Sequence, residues 1–129
     1  MASFTLLVRT SPFAGANHQI AQDFVSGALA QGHEIRRVFF YQDAVYAALN
    51  TMQPVQGQMS VTARWQQLAE SGKFPLQVCI ANALRRGVTD EQEQKRYNLP
   101  CVTCADGFEL AGLGEMATAA TDSDRIVEF

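Results

Sequence analysis

Phe4-Thr5-Leu6-Leu7-Val8-Arg9, closed by Thr10-Ser11-Pro12, leads through Asn17 to Gln31 into Glu34-Ile35-Arg36-Arg37-Val38-Phe39-Phe40-Tyr41. The first run is short, apolar and ended by turn residues, so it reads as a buried strand. Asn17 to Gln31 has helical spacing, with Ile20, Ala21, Phe24, Val25, Ala28 and Leu29 on one face. Gly32 is placed to end that helix. The third run is rich in β-formers and reads as a second strand. A strand, a helix and a strand in close succession form a crossover unit, which implies a parallel pair.

The alternation continues down the chain. Asp43 sits where a helix N-cap belongs, ahead of Ala44 to Ala48. Asn50 to Ser60 contains Pro54 and Gly57, is poor in apolar residues, and reads as a mobile loop. Val61 to Ser71 is helical, with Val61, Trp65, Leu68 and Ala69 along one side and Gly72 at its end. Pro75 to Ala81 is the third strand, Asn82 to Gly87 a turn or short helix. Thr89 to Asn98 is a polar helix begun by Thr89 or Asp90. Cys101 to Ala105 is expected to be the fourth strand and Arg125 to Phe129 the last, with a helix over the second half of Gly112 to Thr121. The expected fold is α/β, one domain over residues 1–129: a three-layer α/β/α sandwich around a mostly parallel five-stranded sheet. Such sheets bind ligands beyond the carboxyl ends of their strands. Thr10-Ser11, Tyr41-Gln42 and Cys79 to Asn82 should therefore gather on one rim.

The bulk properties narrow the function. A chain of 129 residues, 47% apolar and 18% charged, is an ordinary globular domain. A net charge of −3, with few and scattered Lys and Arg, argues against direct nucleic-acid binding. No apolar run reaches membrane-spanning length, and the first residues lack the basic start and cleavage site of a signal peptide. Three cysteines, an odd count, fit a reducing compartment, so a cytoplasmic location is expected. There is no P-loop, no G-x-S-x-G and no metal-ligand His pair, and Gly112 and Gly114 lack a strand-to-phosphate turn.

Cys79 is the residue with most chemical promise. It lies near the carboxyl end of the third strand, ahead of Ile80-Ala81-Asn82-Ala83-Leu84-Arg85-Arg86-Gly87. A nucleophilic cysteine must be a thiolate, and a free thiol is only about one-tenth ionised near pH 7.5. A nearby guanidinium favours the anion, and a two-unit change takes about 2.7 kcal/mol. Arg85 and Arg86 are the only paired cations soon after Cys79, and Ala81 and Ala83 leave access open. The plainer reading makes Cys79 core, because free cysteine is among the most buried residue types. On that reading Arg85 and Arg86 pair with Asp90, Glu91 or Glu93 on the surface.

Cys101-Val102-Thr103-Cys104 is a C-x-x-C. Pro100 precedes it and β-branched residues fill it, which favours extended backbone over the helix start of a redox motif. In a strand the two Cα atoms stand about 10 Å apart, beyond disulfide reach. No second cysteine pair or histidine cluster completes a zinc site. The pair reads as structural, with one alternative: Cys104 ends its strand on the Cys79 rim as a resolving thiol.

Several blocks, in order, carry a family likeness. They are Gly32-His33-Glu34 leading to Val38-Phe39-Phe40-Tyr41, Asp43-Ala44-Val45-Tyr46, Arg64-Trp65-Gln66-Gln67-Leu68, and Val78-Cys79 through Arg85-Arg86-Gly87-Val88. Gly107-Phe108-Glu109-Leu110-Ala111-Gly112-Leu113-Gly114 and Asp124-Arg125-Ile126-Val127-Glu128-Phe129 complete the set. Over nearly its whole length the chain resembles the TusD/DsrE family of sulfurtransferase subunits, its TusD branch most closely. The resemblance implies a DsrE-like domain that joins TusB-like and TusC-like subunits in a hetero-hexamer with two copies of each.

The family's cysteine falls on Cys79. By that resemblance it accepts sulfur from the persulfide of a TusA-like donor and passes it to a TusE-like acceptor. The end product is the 2-thiouridine at the wobble position of certain tRNAs, so contact with tRNA is indirect. The DsrE branch implies dissimilatory sulfur oxidation instead. No metal or organic cofactor is implied. Spacing suggests that Arg85 or Arg86 stabilises the thiolate or persulfide. Cys101 and Cys104 have no counterpart in the family's pattern, and Ser11 to Asn17 departs from it, which leaves any role for Ser11 open. Two other readings stand beside the relay: a thiol oxidoreductase using Cys101, Cys104 and Cys79, and a non-catalytic assembly subunit.

Overall fold

In the computed structural model, which describes residues 1–129, the first strand is β1, Ser3–Val8. Phe4, Leu6 and Val8 turn to one face of the sheet, and Thr5 and Leu7 to the other, as the two-residue period of a strand requires. Helix α1, Asn17–Ala30, covers the first face, and Phe24 meets Phe4 edge-on with ring centres 5.2 Å apart. Gly32 then takes φ +82°, a left-handed conformation that side chains resist, and delivers the chain to β2, Glu34–Phe40. A 3-10 helix spans Gln42–Ala48. Helix α2, Val61–Gly72, starts at Ser60, whose hydroxyl accepts the Ala63 N–H at 2.9 Å. Strand β3, Leu76–Cys79, runs directly into α3, Ile80–Arg85. Then follow α4, Glu91–Tyr97, β4, Phe108–Ala111, α5, Gly114–Asp122, and β5, Arg125–Glu128.

All five strands are parallel, in the order β4-β3-β2-β1-β5. The chain steps outward from β1 to β4, then returns to the far side of β1 for β5. Right-handed crossovers with opposite directions of travel put their helices on opposite faces. So α1 and α2 pack together on one face, while α5 lies on the other. The three-layer α/β/α fold expected from the sequence is the one observed.

The main core lies between the sheet and α1 with α2. Leu6, Val8, Val38, Phe40, Leu76 and Val78 meet Val25 and Trp65 there, all of them essentially inaccessible. The opposite face is thinner and more polar. Its buried apolar residues, outside the main cluster, are Phe39, Cys79 and Ala119. Buried Thr5, Arg37 and Gln77 lie on the strands of that same face. A register shift after Phe4 skips Arg36, leaving it exposed and turning Arg37 inward. Arg37 donates to Asp122 at 2.9 and 2.6 Å and to the Thr5 hydroxyl at 2.9 Å, which fastens the end of α5 to the sheet.

Three boundaries differ from expectation. The fourth strand is Phe108–Ala111, not Cys101 to Ala105. The earlier segment is held by other partners instead: Thr103 and Cys104 N–H groups both donate to Thr89 O in a loop, and Ala105 N–H donates to Ala48 O at the end of the 3-10 helix. Only an isolated antiparallel bridge, Leu49 with Cys104, has strand-like pairing. Asp43 lies inside the first turn of the 3-10 helix rather than capping it, and its carboxylate pairs with Arg86. The third strand ends at Cys79, two residues early, because the helix begins at Ile80. Asn50 to Ser60 carries no helix or strand beyond its opening turn, as expected. No helix is long and apolar enough to cross a membrane.

Candidate active site

The carboxyl ends of β1, β2 and β3 do meet on one rim. The Tyr41 N–H donates to Val8 O at 2.9 Å, continuing the β1–β2 ladder past the end of β2. Gln42 follows with φ +53°, a costly conformation for a residue with a side chain. The turned peptide aims its N–H at Asn82 Oδ1, 2.6 Å away on α3. Just past β1, Arg9 Nε donates to Gln42 Oε1 at 3.3 Å. Beside them, Asn17 Nδ2 donates to the Thr10 hydroxyl at 3.1 Å.

Cys79 is the last residue of β3 and stands opposite Ala111 of β4. The next residue is already helical, so Cys79 occupies a strand-to-helix junction on the rim. The pleat that sends Val78 into the main core sends Cys79 to the α5 face, with Gln77 and Phe39. The thiol is free, and the residue is only 2% exposed. The residue is buried, yet it lies at the carboxyl edge of the sheet and outside the main core.

The two arginines go separate ways. Arg86 Nε donates to Asp43 at 2.8 Å, and Arg86 Nη1 to the Asn82 backbone O at 3.3 Å. Its partner is therefore none of Asp90, Glu91 and Glu93. Glu93 pairs instead with Arg96 at 3.6 Å. Arg85 is exposed and enters no ion pair. It borders an open hollow of about 420 Å³ with Ala81, Leu84, Tyr97 and Leu99.

Cys101 is exposed and Cys104 half-buried, both as free thiols. The Cys104 thiol donates weakly to Ala105 O and Phe108 O at 3.7 Å. Burial, with Asp90 and Asp106 nearby, pushes its pKa up to about 11. Phe108 stands opposite Leu76, at the far end of β3 from Cys79, three residues or ~10 Å along the strand. Cys104 therefore ends no strand on the Cys79 rim, and a resolving role there loses its geometric basis.

The sequence places Gln42 and Asn82 on this rim but not the bond between them, and it reads Asp43 as a helix cap rather than as the partner of Arg86. Nothing about a glutamine announces the left-handed backbone that makes the Gln42 contact.

The fold matches a solved structure over the full chain. The ychN protein from E. coli superposes with a TM-score of 0.77, covering 100% of both chains at 18% identity, which speaks for the fold alone. Residues 2–129 match the DsrE/DsrF-like family, and the chain belongs to it. Among its relatives is "Sulfurtransferase TusD" of Cronobacter sakazakii (strain ATCC BAA-894), 40% identical over 126 residues and 98% of each chain. Another is the protein of the same name from Erwinia tasmaniensis, 42% identical over 127 residues and 98% of each chain. By this likeness the chain is a sulfurtransferase.

Proposed function

We propose that the chain carries sulfur as a persulfide on Cys79. A TusA-like donor brings a persulfide, and the Cys79 thiolate attacks its outer sulfur. The bond between the donor's two sulfurs breaks, the donor cysteine leaves as thiolate, and Cys79 now holds the terminal sulfur. A TusE-like acceptor thiolate then attacks that outer sulfur, and Cys79 is released as thiolate. Each step is an exchange between a thiolate and a persulfide, with no net oxidation and no further reactant. The observation that carries the reading is the position of Cys79: a free thiol at the carboxyl end of an inner strand, on the rim where such sheets do their chemistry.

Arg85, exposed and unpaired one and a half helical turns on, is the cation proposed to favour the anionic sulfur when a partner covers the site. Arg86 is engaged by Asp43 and contributes through the shape of the rim. The downstream product is the 2-thiouridine of tRNA wobble positions, reached through partners, in keeping with the net charge of −3. The working unit is a hetero-hexamer with two copies each of this chain, a TusB-like subunit and a TusC-like subunit, in the cytoplasm. The closeness to proteins named TusD favours this route over dissimilatory sulfur oxidation.

Intact-protein mass spectrometry tests the reading. With a persulfidated TusA-like donor, the wild-type chain gains the mass of one sulfur, and Cys79→Ser gains none. Sulfur uptake by the serine variant would transfer the role to another thiol, and sulfur flux left intact by Cys79→Ser without uptake would reduce the chain to an assembly subunit.

A further inference from the structure

Cys79 is 2% exposed, yet on the reading just given it must meet a thiol from another protein. Its side chain points to the α5 face, so whatever shields it belongs to that face. Two neighbours there follow from the strand pairing. Ala111 of β4 stands opposite Cys79 on one side. On the other side Phe39 pairs with Gln77 and Phe40 with Val78. Tyr41 keeps extended backbone, φ −128° and ψ 151°, and its N–H still bonds to β1. Tyr41 is therefore level with Cys79 and shares the face of Phe39.

What crosses above Cys79 follows from lengths. Asp122, the last residue of α5, is bonded to Arg37, four residues or ~13 Å before Tyr41 along β2. Helix α5 leaves the carboxyl end of β4 for the amino end of β5, so it runs against the strands. Its nine residues rise ~12 Å, which brings Gly114, its first residue, level with Tyr41 and Cys79. From Ala111 to Gly114 the chain takes three steps, at most ~10 Å or two strand spacings. Ala111 is on β4, the end of α5 is anchored to β2 and β1, and β3 lies between them. Gly112-Leu113-Gly114 therefore passes over the end of β3, on the face to which Cys79 points.

This crossing segment is lightly held. Leu113 is 55% exposed, and α5 starts with no side-chain cap. The first turn's own amides join the segment to the helix: Glu115 N–H donates to Gly112 O, and Met116 and Ala117 N–H to Leu113 O, at 3.0 to 3.2 Å. The far end of α5, by contrast, is fastened by Arg37. The two glycines have no reason in the closed arrangement. A Cβ on Gly112 or Gly114 would meet nothing within 4 Å, and neither has the left-handed φ that favours glycine. We propose that Gly112-Leu113-Gly114 is a hinged strap over Cys79, which lifts with the first turn of α5 about the Arg37–Asp122 anchor and so decides when the thiol can meet a partner. Glycine supplies the freedom of the lifted strap. Gly112 and Gly114 are positioning residues, acting on sulfur transfer through access to Cys79.

Iodoacetamide labelling of the full chain in a Cys101→Ser background, read at the Cys79 peptide by mass spectrometry, tests this without any partner. Labelling of a covered thiol follows the fraction of time it is open. Alanine at both glycines fits the closed strap and restricts the lifted one. Gly112→Ala with Gly114→Ala should slow Cys79 labelling by about five-fold, the scale of two such replacements, and leave Cys104 labelling unchanged. Equal slowing at both thiols would mean a stiffer fold as a whole and would overturn the strap. Unchanged or faster labelling of Cys79 would overturn it too, as would a native Cys79 that never labels. Amide exchange on the Cys79-labelled chain, with both glycines in place, is the second readout. The amides of Glu115, Met116 and Ala117 should exchange several-fold faster than before labelling, and those of Arg86 and Val88 at their former rate. No gain at the three α5 amides would also overturn the strap. The inference rests on Cys79 as the reacting thiol, so sulfur loading of the wild-type chain is measured separately. A failed strap with intact loading leaves the relay standing, and a working strap without loading leaves only the strap.

Discussion

Arg37 of β2 holds Asp122, the last residue of α5, through two nitrogens at 2.9 and 2.6 Å. Arg37 is buried while the Asp122 side chain is 30% exposed, and their pair is the main polar bond between α5 and the sheet. Removing Arg37 frees the end of α5 and strips Thr5 of its buried donor. Arg37→Met should lower the melting temperature by ~5 °C. Amide exchange should quicken more in α5 than in β2. The Arg37 guanidinium also holds the Asp122 carboxyl down to a pKa of about 2, from 3.8. A depressed carboxyl stabilises the fold above its unfolded value and loses that contribution as pH falls through the folded one. Stability should therefore drop between about pH 4 and pH 2, and Asp122→Asn should flatten that part of an acid titration.

His18 gives a second pH dependence. Its Nδ1 accepts the Trp65 indole N–H at 3.2 Å, so Nε2 carries the proton and donates to Thr10 O at 2.7 Å. Burial lowers the pKa below 6.5, since a charged ring would lose water and present a donor to a donor. The unfolded chain then binds the proton first. Stability is full above the unfolded value and falls as pH drops below about 6.5. Thermal melts from about pH 7.5 to pH 5 should show this fall, and His18→Gln, less stable at the upper pH, should show less of it.

Much of the fold was legible because its signals are local. The runs at Phe4, Glu34 and Pro75 are rich in apolar residues, and Gly32 closes α1, while α2 runs through Gly72 and is closed by left-handed Lys73. The Cys101 segment misled because a β-branched pair favours extended backbone, while its partners, Thr89 in a loop and Ala48 at the end of the 3-10 helix, are remote along the chain. Phe108-Glu109-Leu110-Ala111, the true strand, is held by pairing to Leu76 through Cys79, which no local pattern displays. At the site, the place of Cys79 at a strand end could be read from the chain. The pairing of Arg86 with Asp43 could not, because it joins residues forty-three apart along the chain.

The other thiols should differ sharply in reactivity. With its pKa pushed up to about 11, Cys104 is almost wholly protonated near neutral pH, while Cys101 is exposed. Iodoacetamide should label Cys101 well ahead of Cys104. Mild oxidation should yield no loss of two protons from an internal disulfide. A ready Cys101–Cys104 bond would revive the oxidoreductase reading.

The most direct test follows labelled sulfur through the chain. A donor loaded with radioactive persulfide sulfur is mixed with the chain, the acceptor is added, and peptides are mapped at each stage. Label should rise on the Cys79 peptide, then leave it as the acceptor gains it, with Cys79→Ser blocking both. Label reaching the acceptor at the same rate through Cys79→Ser would contradict the account.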